Sequence, residues 1–406
     1  MFNPSATLKQ DISISFPDIH KTRLDTLFTF VEAGCRTQNV TVTSLGRALK
    51  GASGTDVKHD VKRADRLIGN TYLHQEKVYF YQLMSERLLG HQKHPLILVD
   101  WSPINGAEIF QVLRASIPMD GRALTIYEKA YPESELNTDK AHREFIEELS
   151  YCLPEGCQPI IVTDAGFKSP WFEAIEKKNW FWLGRVRGQV QLSEDKCNWN
   201  KCKQWYESAT NRAKKTGKIF YSKKNQLACE GVLYHGSTKG RYVKKKRGGQ
   251  SQCSTNKYQQ QKAKEPLFLV YHLPENVQYT AKRIVQIYKK RMQIEENFRD
   301  TKNQRLGLGI SDACSKSSFR YDILLLVAAL ILFVLWCIGY ASCQLGQARL
   351  LQANSTKHRR VLSIIFVGRQ VVNDGRYCPD EPLLIYVYHH LSEICLLYTS
   401  PSPRDA

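Results

Sequence analysis

HPLILVDWS at residues 94–102 and PIIVTDAGF at residues 159–167 are the two stretches on which the fold turns. Each is an apolar run that meets a carboxylate, Asp100 in the first and Asp164 in the second. Such a run, bounded by turn-forming residues, reads as a strand buried on both faces of a sheet. In α/β sheets ligands collect outside the carboxyl ends of such strands, so neighbouring strand ends would set both aspartates at one edge. Two unpaired carboxylates there would repel. A divalent cation resolves that repulsion, and Mg²⁺ favours a few carboxylates together with water and phosphate oxygens.

Between the two stretches lie EIFQVLRASIP and RALTIYEKAYP, strand-like runs joined by a turn at 119–121, and then a helix expected over 139–153. Three strands, a helix and a strand is the order of a ribonuclease-H-like core. Residues 1–90 read as helices, at 21–33, 42–49 and 56–67, the last two joined through the turn GASG at 51–54. That pair resembles a helix-turn-helix, and its second helix carries Lys58, Lys62, Arg63 and Arg66, which suit a DNA groove and equally suit a solvated face. Residues 185–266 turn Lys-, Ser-, Gln- and Gly-rich and include KGRYVKKKRGGQ at 239–250, with Lys244, Lys245 and Lys246, as in a β-rich basic insertion. The strand LFLVYHL at 267–273 and a long helix at 280–302 then resume the core.

The expected organisation is therefore α/β. An N-terminal helical DNA-binding region (1–90) precedes a ribonuclease-H-like mixed-sheet core in two parts (91–184 and 267–345), interrupted by the insertion (185–266). A C-terminal helical region (346–394) follows. Residues 395–406, CLLYTSPSPRDA, read as a translated sequencing adapter and carry no functional inference. The uncharged run ILLLVAALILFVLWCI at 323–338 is shorter than the roughly twenty residues of a membrane span, so a buried core helix is expected and no membrane partner.

The chain holds 58 Lys and Arg against 39 Asp and Glu, a formal charge of +19, which favours a polyanionic partner. Its twelve cysteines show no C-x2-C pair or regular framework. With no export signal at the N-terminus, a reducing cytoplasm is the expected setting. His142, His235 and His272 lack ligand spacing. Ser102 lacks the context of a hydrolase nucleophile, and no phosphate-loop or dinucleotide motif occurs, so no nucleotide cofactor is expected.

In YKKRMQIEENFRDTK, Tyr288, Arg291, Glu295, Arg299 and Lys302 stand at offsets 0, 3, 7, 11 and 14. On one continuous helix they fall within a sector of roughly 80°. A phenol, a carboxylate and three cations on one face suit metal and phosphate together, and equally suit a solvated face with an i,i+4 pair Glu295–Arg299.

The spacing Tyr288-x2-Arg291-x3-Glu295-x6-Lys302, with VDWS at 99–102 and TDAGF at 163–167, resembles the YREK signature and aspartate motifs of bacterial DDE transposases of the IS-four family. Within that family the likeness is to the insertion-sequence-ten group, from the N-terminal helices to about residue 375. The resemblance implies a nucleoid-associated bacterial enzyme that cuts and pastes DNA as a homodimer on paired terminal inverted repeats and joins them to target DNA. Asp100, Asp164 and Glu295 would be the catalytic, metal-holding residues for Mg²⁺ or Mn²⁺. Tyr288, Arg291 and Lys302 would hold phosphates, with Arg299 beside them. Close relatives carry, after Lys264-Glu265-Pro266, a Trp that stacks on a flipped base during hairpin formation. Leu267 stands there, so either Phe268 substitutes as the base-stacking candidate or hairpin processing is weakened, and the alternation of strand faces favours the second. Two other readings remain: a DNA-binding relative impaired in catalysis, and a ribonuclease-H-like nuclease that cuts without joining.

Overall fold

The computed structural model describes residues 4–49, 54–106, 109–236, 264–356, 358–375 and 377–399. The chain divides into two compact units, residues 1–158 with 292–406, and residues 159–291. Its architecture is mixed α/β, compatible with a ribonuclease-H-like core.

In the first unit, α1 (Pro4–Ser15), α2 (Lys21–Arg36), α3 (Val42–Ala48), α4 (Val57–Ile68) and α5 (Thr71–Leu89) precede the strands. Gly46 is where α3 meets α4: a β-carbon there would stand 2.5 Å from the Val61 α-carbon, so only glycine lets the backbones approach. Strands β1 (Leu96–Pro103), β2 (Phe110–Pro118) and β3 (Ala123–Pro132) form an antiparallel meander. The β2–β3 turn closes through the Met119 amide and the Arg122 carbonyl at 2.7 Å, with Gly121 at φ 71°. Helix α6 (Asp139–Cys152) starts at Thr138, whose hydroxyl accepts the Ala141 amide.

The apolar run lies inside a 27-residue helix, Ser318–Gln344, buried on all sides from Tyr321 to Ser342. It is long and apolar enough to cross a membrane, yet its apolar window is wholly buried within the protein. Helices pack against it closely. A β-carbon on its Gly339 would stand 1.9 Å from the Ile364 carbonyl oxygen, and one on Gly368 of helix Ile364–Asp374 would stand 2.0 Å from that of Leu335. Asp322 enters this core because its charge is answered: its carboxylate accepts the Ala130 amide (2.7 Å) and meets His74 Nε2 (2.9 Å) and the Lys77 ammonium. The final helix, Leu391–Thr399, runs through the expected boundary at 394 and buries Cys395. The rest of that tail, 400–406, lies outside the described residues.

In the second unit the strand order is β4-β5-β10-β9-β8-β6-β7, with β4 (Ile160–Thr163) parallel to β5 (Phe181–Val186) and the other neighbours antiparallel. Here β6 is Gln191–Ser193, β7 Asn200–Lys201, β8 Lys214–Tyr221, β9 Leu227–Tyr234 and β10 Leu267–His272, with the short helix α8 (Cys202–Trp205) after β7. Helix α7 (Ser169–Glu176) links the parallel pair and lays Phe172 over Gly184, where a β-carbon would come within 2.4 Å of the ring.

One helix departs from the sequence reading. The helix expected over 280–302 is two, Ala281–Lys290 and Met292–Lys302, here α9 and α10. At Arg291 the amide bonds to the Tyr288 carbonyl three residues back, at 3.0 Å, so the chain tightens locally and α9 ends. The unit boundary falls there too, between Arg291 and Met292.

Candidate active site

Of the candidate residues, Asp100, Glu295, Arg299 and Lys302 belong to the first unit, and Asp164, Tyr288 and Arg291 to the second. The single polar face drawn from a continuous helix is thus replaced by two helical pieces.

In the first unit Asp100 sits half-buried within β1 and not at its end, because pairing with β2 carries the strand three residues further to Pro103, and its Oδ1 accepts the Trp101 amide at 2.9 Å. The Trp101 indole N–H donates to His142 Nε2 at 3.2 Å, which requires that nitrogen to be unprotonated. Burial pushes the His142 pKa down to about 4, against the pull of Asp139, consistent with a neutral ring. Lys302 reaches the end of that strand: its ammonium donates to Ser102 Oγ at 2.6 Å and to the Pro103 carbonyl at 3.1 Å. Its pKa is pushed down to about 8, by burial first and by Arg114 second, with Asp100 opposing both, so it is mainly a cation at neutral pH. Glu295 is exposed in the first turn of α10, where the helix dipole favours negative charge. Arg299 points elsewhere. It is 61% exposed and pairs with Glu296 at 2.7 Å, three residues back, in place of the expected i,i+4 pair with Glu295.

In the second unit Asp164 follows β4 directly, and its Oδ1 accepts the Gly166 amide at 2.7 Å. A β-carbon on Gly166 would stand 2.9 Å from that oxygen, so the glycine of TDAGF is what lets the loop wrap the carboxylate. Tyr288 is 7% exposed. Burial raises its pKa, with Arg291 and Arg185 opposing and Asp164 adding, so its phenol stays protonated and can donate to a phosphate. Arg185 donates to the Pro266 carbonyl at 3.3 Å, and Arg187 holds Glu265 through two contacts at 3.0 and 2.9 Å.

Phe268 does not offer a stacking face. It is 0% exposed and packs 5.4 Å from the Trp205 ring, because β10 turns that side into its own core, and Leu267 is half-buried at the strand's start. Of the basic helix α4, Lys58, Lys62 and Arg66 face solvent, Lys58 within 3.7 Å of Asp56. Arg63 turns inward, its guanidinium 5.8 Å over the Phe30 ring. Lys244, Lys245 and Lys246 fall outside the described residues.

Among the described residues no group of three or more His, Cys, Asp or Glu side chains is gathered closely enough to hold a metal ion. The donors themselves suit Mg²⁺ or Mn²⁺, since Asp100, Asp164 and Glu295 offer hard carboxylate oxygens and none is fully buried. Residues the sequence reading passed over are Arg114 and Glu128, charges inside the apolar runs QVLRASI and TIYEKAY. They face each other across β2 and β3 and are both 1% exposed. A charge at the same height in two consecutive strands was the available signal.

A family model described as transposase DDE domain matches residues 91–332, more than half of the chain. Comparison with curated protein sequences gives no match.

Proposed function

Since the chain belongs to the transposase DDE-domain family, we propose that it moves DNA by a cut-and-paste route, hydrolysing phosphodiester bonds at transposon ends and joining the released ends to a target. The observation that carries this reading is the pair of hydrogen bonds from Lys302 to Ser102 and Pro103, which ties the helix bearing Glu295 to the strand bearing Asp100. Asp100, Asp164 and Glu295 would hold Mg²⁺ or Mn²⁺. When bound, such a cation activates an attacking water or 3′-hydroxyl and stabilises the leaving oxygen.

The protein's own groups supply binding and orientation. Lys302, mainly a cation at neutral pH, would pair with a phosphate beside Asp100, and its bond to Ser102 fixes the direction of approach. Tyr288 and Arg291 would do the same from the other unit, the phenol as a neutral donor and the guanidinium as a planar one. The exposed Lys58, Lys62 and Arg66 of α4 would contact duplex phosphates. We further propose a homodimer on paired ends, and weak hairpin processing because Leu267 and Phe268 present no aromatic face.

The test is cleavage of a labelled duplex carrying the element's terminal repeat, in Mg²⁺, by wild type and by Asp100→Ala, Asp164→Ala and Glu295→Ala. Each variant should lose cutting and joining while gel shifts show DNA still bound. A Glu295→Ala protein that joins ends at the wild-type rate would refute the assignment. Cutting without transfer into a plasmid would instead identify a nuclease.

A further inference from the structure

The meander of the first unit carries one row of charge across its three strands: Asp100 on β1 stands opposite Arg114 on β2, which stands opposite Glu128 on β3. Directly opposed residues share a face of the sheet, so Arg114 leaves the sheet on the side of Asp100. It does not stay in the plane of the row. Its Nε and Nη2 donate to Glu128 Oε2 at 2.7 and 2.6 Å, while its Nη1 donates to Asn297 Oδ1 at 2.7 Å and to Thr301 Oγ1 at 3.0 Å, both on α10. The guanidinium also lies 4.7 Å over the ring of Phe298. Asn297 is held from its other side, donating to the Ala123 carbonyl at 2.9 Å and accepting from Thr125 at 3.2 Å. Arg114, Asn297 and Thr301 are each at most 1% exposed.

This is a costly way to dock a helix. A buried ion pair seldom stabilises more than an apolar replacement, because desolvation consumes the Coulomb gain. What it adds is direction: a fork of N–H donors fixes the rotation of α10 about its axis, where an aliphatic contact would let it slide. Glu295 lies two residues before Asn297, and Lys302 one residue after Thr301. The clamp therefore sits between the two functional side chains of the helix.

We infer that Arg114, through Asn297 and Thr301, is a positioning residue that sets Glu295 and Lys302 relative to Asp100. The inference rests on the proposed roles of those residues. It assigns Arg114 no contact with substrate.

The experiment uses the full chain with Arg114→Lys, which loses the fork, and Thr301→Val, a milder change that removes one acceptor and leaves Arg114 its bonds to Glu128 and Asn297, with circular dichroism confirming that each variant is folded. Mn²⁺ binding is followed by electron paramagnetic resonance on DNA-free protein, and cleavage is resolved into kcat and DNA KM. Thr301→Val should weaken Mn²⁺ binding and lower kcat by about tenfold each, the usual effect of disturbing a ligand's support. KM for DNA should stay within about twofold, since uniform binding is untouched. Thr301→Ser, which restores the acceptor, should recover both. Wild-type Mn²⁺ affinity and kcat in Thr301→Val, or a loss confined to KM, would overturn the inference. Failure of the wild type itself to cut in Mg²⁺ would overturn the transposase reading instead, and Mn²⁺ affinity still separates wild type from Thr301→Val in that case.

Discussion

Replacing Asp322 by leucine should cost more than any apolar deletion in the same helix. The carboxylate is 3% exposed and Lys77 is 5% exposed, with the two in direct contact. Burial raises the Asp322 pKa, but Lys77, His74 and the Ala130 amide outweigh it and the net shift is downward. Asp322→Leu leaves the Lys77 ammonium buried without its counter-charge and the Ala130 amide without its acceptor. Breaking one side of a buried pair costs about 3–5 kcal/mol, and an orphaned buried amide adds about 1–3. Against a typical total of about 5–15 kcal/mol, such a variant is only marginally folded. Removing both charges in Asp322→Leu/Lys77→Met should recover most of the Lys77 share, giving a coupling of about 2 kcal/mol or more between the sites. Urea unfolding of wild type, both singles and the double, followed by circular dichroism, measures the cycle. Additive losses, or an Asp322→Leu cost below about 1 kcal/mol, would refute the view that this pair makes a carboxylate tolerable inside the apolar helix. The pH sign is that of a depressed acid: the contribution is complete above the ordinary aspartate range and is lost as pH falls through the lowered folded value.

His142 has the same pH sign in a higher window. With its pKa lowered to about 4 from 6.5, the folded chain binds fewer protons than the unfolded one between those values, so stability should fall by up to about 3 kcal/mol as pH drops from 6.5 to 4. His142→Gln should flatten that segment of a stability–pH profile. Lys62→Ala and Arg66→Ala should each reduce the slope of log affinity against log salt by about 1, because each removes one phosphate contact. Unchanged slopes in filter-binding titrations would place the DNA surface elsewhere.

Both aspartate strands were legible in the sequence because each is a short apolar run that meets one carboxylate, a pattern with few other interpretations. The long apolar helix was legible for the same reason; its burial inside the protein was expected from the short uncharged run, although the full helix is long enough to cross a membrane. Its true ends at Ser318 and Gln344 were not, since polar and aromatic residues there are buried by tertiary contacts that local composition does not encode. The break at Arg291 was hidden because YKKRMQIEENFRDTK is helix-forming throughout. Arg63 and Phe268 were misjudged in their surroundings. A sequence shows that a guanidinium or a ring is present, but not that Phe30 lies beneath the one and Trp205 beside the other. The Arg114 clamp joins residues 183 and 187 positions apart, beyond the reach of any periodicity.

The central claim is that Asp100, Asp164 and Glu295 hold the metal used in cleavage. Anomalous scattering from Mn²⁺ in crystals of the protein bound to its cleaved transposon end tests it most directly. The account requires Mn²⁺ peaks at about 2.0–2.2 Å from oxygens of Asp100, Asp164 and Glu295. Peaks that leave out Asp164 or Glu295 in a complex competent for cleavage would contradict it.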